Sequence, residues 1–65
     1  MLATRDSFLA LCAAACGHAR AGRINAAECA LLGATLAAQG NPWIDLDLFL
    51  EHAARVVRRA KGAIT

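Results

Sequence analysis

Asp45-Leu46-Asp47-Leu48-Phe49-Leu50-Glu51 opens a stretch that closes on Arg55, Arg58, Arg59 and Lys61, with every acid ahead of every base. Leu46, Phe49, Leu50, Ala53, Val56, Val57 and Ala60 recur at spacings of three and four, the pattern of a helix with one buried face. The charge order complements a helix dipole, whose N-terminal end favours anions and whose C-terminal end favours cations. This stretch decides a fold element and leaves the activity open.

Working outward, the spacing predicts two further helices. Thr4 is a good N-cap for a first helix running to Arg20, with Gly22 placed where a positive φ ends it. Phe8, Cys12, Ala15 and Ala19 form its inner stripe, flanked by Leu11 and Cys16. Asn25 and Glu28 have the spacing of a capping box, with Ile24 as a hydrophobic staple, so a second helix is expected from about residue 26 to 39 and a stop at Gly40. Cys29, Leu32 and Leu36 face one way on it. Ala26, Ala30, Gly33 and Ala37 line an adjacent strip that another helix backbone can approach closely. Asn41-Pro42 begins the third element, expected over about 42–61, with Asn41 or Asp45 as its cap and its end near Lys61-Gly62. The expected fold is all-α, a compact three-helix bundle forming one domain over residues 1–65.

Size and composition narrow the function. A chain of 65 residues buries only about 60% of the surface that its unfolded form exposes, so its core is marginal. Seventeen alanines favour helix but add little apolar area, and the bundle has little room for a deep pocket, which argues against an enzyme. Net charge is +2, too small to indicate nucleic acid by itself. Three cysteines cannot all pair internally, which points to a reducing cytoplasm. No apolar run reaches the roughly 20 residues of a membrane span. Phe8–Cys16 has the length of a signal-peptide core, but Asp6 offsets Arg5 ahead of it and export is not expected.

Chemistry-bearing residues are sparse. Cys12, Cys16 and Cys29 with His18 suggest zinc only weakly, because His18 lies about 200° around the helix from the first two; no metal or cofactor is expected. A Cys–His nucleophile lacks an orienting third group, and His52 falls on the charged face of the third helix. The bases Arg55, Arg58, Arg59 and Lys61 are the candidate nucleic-acid contacts of a small DNA-binding regulator, although Asp45, Asp47 and Glu51 at the same helix's start would meet a polyanion badly. Leu48 points away from the apolar stripe, ringed by acids, and Leu31 does the same on the second helix. Two readings stand side by side: a docking surface with an apolar anchor and a charged rim, or coverage by a second core face or a homodimer. The partner-binding set is therefore Asp47, Leu48 and Glu51, with Asp45 and Trp43 at its edge, although Trp43 is better suited to closing the bottom of the bundle.

In size, in Ala/Arg/Leu-rich usage and in the acidic segment Asp45-Leu46-Asp47-Leu48-Phe49-Leu50-Glu51, the chain resembles the small anti-CRISPR proteins of phages and mobile elements that act on type I systems, with type I-C a candidate. The resemblance implies a cytoplasmic protein of a bacterial host. It implies a monomer or homodimer that binds a CRISPR effector subunit and blocks target DNA recognition. Asp45, Asp47 and Glu51 would stand in for DNA phosphates and Leu48 would anchor the contact. The net positive charge and the small acidic footprint make steric blockade as good a mechanism as mimicry. An oligomeric structural or assembly protein is the remaining alternative.

Overall fold

Thr4 starts the fold as expected: its hydroxyl accepts the Ser7 amide at 3.1 Å, capping helix α1, Arg5–Arg20. In the computed structural model, which describes residues 4–64, α1 is followed by α2, Ile24–Ala38, and α3, Leu46–Ile64. The turn after α1 is a Schellman motif. The Arg23 amide donates to the His18 carbonyl at 2.8 Å and the Gly22 amide to that of Ala19 at 3.1 Å. Gly22 sits between them at φ 81°, a conformation that a side chain would strain.

This turn overrides the expected capping box. It delivers the chain into helical geometry at Ile24, so Asn25 is already inside α2 and no side chain caps the helix start. Glu28 reaches across to Lys61 instead, at 2.9 Å. The junction between α2 and α3 also departs from expectation. Asn41 caps the end of α2, donating from Nδ2 to the Ala37 carbonyl at 2.6 Å, and so does not begin α3. Pro42 and Trp43 are non-helical, Ile44 and Asp45 form a turn, and α3 starts at Leu46 and not at residue 42. Its C-terminal end passes through Gly62 to Ile64, beyond the stop expected at Lys61-Gly62.

The helices run up, down and up. Arg5 lies beside Asp45, so α1 and α3 start at the same end. Glu28 lies beside Lys61, so α2 runs opposite to both. The core is built mainly from small side chains: of the ten buried apolar residues described, six are alanines, joined by Phe8, Cys12, Cys16 and Val57. Phe8 is the largest fully buried side chain. Trp43 packs on it with ring centroids 5.4 Å apart and planes tilted by 40°, so Trp43 closes the bottom of the bundle.

The rotation of α2 about its axis corrects the sequence reading most. Ala27, Ala34 and Ala38 are its buried residues, and Leu31 packs against both parts of the core. Leu31 is therefore not an outward residue. Leu32 and Leu36, expected to face inward if Cys29's side of the helix were the core side, are 61% and 58% exposed, and Cys29 is exposed with them. On the small-residue strip it is the Leu11 side chain that packs over Gly33, where a Cβ would make an ordinary contact at 3.4 Å from Leu11 Cδ2. Large side chains on that strip would push α1 and α2 apart, so the leucines are left on the outside.

Two glycine substitutions test this backbone. Gly17 is inside α1 with open space around its Cα, so Gly17→Ala is expected to stabilise by about 0.5–1 kcal/mol. Gly22→Ala is expected to destabilise by about 1 kcal/mol, because alanine at positive φ is strained. Urea melts followed by circular dichroism check both signs.

Candidate docking site

Segment 44–51 links the base of the bundle to α3 and carries most of the residues that the sequence singled out for partner binding. Its two ends have different jobs. Asp45 is held internally: Arg5 donates from Nε to Asp45 Oδ1 at 3.3 Å and from its terminal nitrogen to Oδ2. The forked contact ties the start of α1 to the start of α3. With Trp43 seated against Phe8, both edge residues of the expected site make contacts that hold the base of the bundle together.

The rest of the segment faces solvent. Leu48 is 69% exposed, Phe49 is 38% exposed and Ile44 is fully exposed, while Asp47 and Glu51 are exposed around them. Phe49 was expected in the buried stripe. It sits at the border of that stripe because Leu46, Leu50 and Ala53 already fill the inward positions. Three large apolar side chains within six positions, with Asp47 and Glu51 on either side of Leu48 and Phe49, make an apolar anchor with an acidic rim. Glu51 also pairs with Arg55 one turn on, at 3.5 Å, an exposed contact worth well under 1 kcal/mol and easily exchanged for a partner's group. Asp47 has no ion-pair partner among the described residues.

A second apolar surface escaped sequence reasoning. Cys29, Leu32 and Leu36 recur at three and four residues along the outside of α2 and are all exposed. Beside them a groove of about 750 Å³ runs between α2 and α3, with Leu31, Ala54 and Val57 among its lining residues and Glu28, Arg58 and Lys61 also along it. The one signal in the sequence is that Glu28 is the sole charged residue from Ile24 to Ala38. A helix that is apolar all round belongs in an interior, and here one side has no cover within the chain.

The four bases proposed for nucleic acid are all exposed on α3 and line two different grooves. Arg58 and Lys61 line the α2–α3 groove, and Lys61 is paired with Glu28. Arg55 and Arg59 line a groove on the other side of α3, with Arg20 and His52. Around α3, Arg55, Arg58 and Arg59 fall within about 100° of one another and Lys61 lies about 60° beyond Arg58.

The thiols are divided as well. Cys12 and Cys16 are buried and Cys29 is exposed. Burial raises the Cys12 thiol above its ordinary value of 9.0, with the neighbouring Cys16 adding to the shift. His18 is committed elsewhere, its Nδ1 accepting from Arg23 Nε at 3.0 Å. Among the described residues no three His, Cys, Asp or Glu side chains gather as a metal site, and no helix is long and apolar enough to cross a membrane. Comparison with protein-family models, curated proteins and solved structures gives no match.

In dilute solution Cys29 is expected to react with a disulfide reagent far faster than Cys12 and Cys16, which become accessible only on unfolding. Because the folded chain holds the Cys12 proton more tightly than the unfolded chain does, its contribution is present below about pH 9 and is lost as pH rises through the folded value. Stability is therefore expected to fall above pH 9, and Cys12→Ser is expected to flatten that slope in urea melts run from pH 7 to 10.5.

Proposed function

We propose that this chain is a non-enzymatic protein-binding module that docks on another protein through the start of α3. The observation that carries the reading is where the large apolar side chains lie: alanines fill most of the core while Leu48 and Phe49 stand exposed between Asp47 and Glu51, with Ile44 exposed in the turn just before them. Scattered exposed leucines are ordinary on a protein surface. A group of three large side chains in one short, acid-rimmed segment is the composition of an interface centre.

The partner that fits the small helical form and the acidic rim is a subunit of a type I CRISPR effector complex, with type I-C the first to test. Docking there would obstruct target DNA by occupying a basic groove or its entrance. With Asp45 bound to Arg5, only Asp47 and Glu51 remain to imitate phosphates, so obstruction by bulk and apolar contact accounts for the reading better than mimicry. A DNA-binding regulator would use Arg55, Arg58, Arg59 and Lys61, and the exposed Asp47 and Glu51 at the start of the same helix would repel the phosphates beside them.

Purified type I effector complexes, incubated with the protein before labelled target DNA, test the reading by gel shift. The expected outcome is loss of the DNA complex, with Leu48→Arg restoring DNA binding while its circular dichroism and melting match the wild type. Persistence of the DNA complex with every effector, together with no co-elution of the protein, would reject the assignment.

A further inference from the structure

We propose that the groove between the end of α1 and the second half of α3 binds the phosphate groups of a small molecule, with a nucleoside polyphosphate the class that fits it best. The inference does not use the docking reading. Arg20, the last residue of α1, lines this groove together with His52, Arg55 and Arg59 of α3, and all four are exposed. The three α3 side chains fall within about 60° of one another around the helix and within about 10 Å along it. They form one row, which Arg20 joins from the neighbouring helix. Val56, Ala60 and Ala63 supply the rest of the lining, and the groove holds about 450 Å³, the size of a small-molecule site.

Charge selects the ligand. No acid lines the groove. Arg20 and Arg59 have no ion-pair partner among the described residues. Arg55 meets Glu51 at 3.5 Å in an exposed contact, which is readily exchanged for a better acceptor; Glu51 thus borders both this groove and the Leu48 surface. The C-terminal ends of α1 and α3 contribute roughly half a negative charge each. Against three guanidiniums, those ends and Glu51 leave a net positive charge of about one, which an anion relieves. Guanidiniums present their donors in a planar fork that matches phosphate oxygens, and several on one groove suit a phosphate chain better than a single carboxylate. Position along α3 favours a small ligand over nucleic acid. Asp47 lies about 12 Å ahead of Arg55, so a ligand confined to the groove stays clear of it. A phosphate backbone continuing along the helix would meet both Asp47 and Glu51. The apolar lining is then left for the base and sugar, on which a guanidinium can stack.

Amide chemical shifts of the isotope-labelled full chain test the proposal, followed at low ionic strength while ATP or, separately, pyrophosphate is added to about 10 mM; millimolar affinity is the weakest that it admits. Saturable shifts centred on Arg20 and on residues 52–63 are expected, with ATP bound more tightly than pyrophosphate. Arg20→Ala and Arg59→Ala are each expected to weaken ATP binding about tenfold, with helicity unchanged by circular dichroism. Arg58→Ala removes the same charge from a residue of the other groove and is expected to change the affinity by less than about twofold. Absence of saturable shifts with both probes overturns the proposal. So does an equal loss in Arg58→Ala and Arg59→Ala, the mark of diffuse attraction to net charge. Pyrophosphate bound as tightly as ATP overturns the nucleotide assignment. Tighter binding of a DNA duplex, sensitive to Arg58→Ala, overturns the small-molecule reading in favour of nucleic acid.

Discussion

The close seam between α1 and α2 governs the rest of this molecule. Gly33 faces Leu11 with room for little more than a methyl group, and Ala27, Ala34 and Ala38 are buried along the same helix. With Leu11 filling that space, the inward side of α2 is occupied by small side chains. Turning that side inward necessarily turns Cys29, Leu32 and Leu36 outward. The fold thus contains its own reason for an exposed apolar surface. What it lacks in side-chain volume along the seam it recovers at the base, where Phe8 and Trp43 supply the large aromatic contact and Arg5–Asp45 ties the helix starts together.

Legibility followed contrast in the sequence. In α1 and α3 polar residues bound the apolar stripe, and the inner faces were readable apart from Phe49, which lies at the border of its stripe; Thr4 and Gly22 marked the ends of α1 through their capping and positive-φ chemistry. The second helix has almost no polar residues to set its phase. Large side chains then attract the inward assignment, and the small ones that actually pack against α1 are passed over. The start of α3 was misjudged for a different reason. Asn41 had two carbonyl and amide ends within reach, and the tertiary demand that Trp43 reach Phe8 keeps the chain non-helical through Pro42 and Trp43.

Of the candidate site, the solvent-facing part was legible and the internally bonded part was not. The position of Leu48 opposite the buried stripe follows from its phase on α3. The partners of Asp45 and Lys61 are forty and thirty-three residues away in sequence, and no local pattern announces them. The structure that results has an exposed apolar stripe on α2 and a second exposed apolar group, with acids beside it, at the start of α3.

The central claim is that the outward leucines do not hold the monomer together, and urea unfolding of L32Q/L36Q/L48Q at a dilution where the chain is monomeric tests it most directly. The account predicts an unfolding free energy within about 1 kcal/mol of the wild type, against a loss of about 3–5 kcal/mol for Phe8→Ala. A triple variant that loses as much as Phe8→Ala would contradict the account, because it would place those leucines in the core.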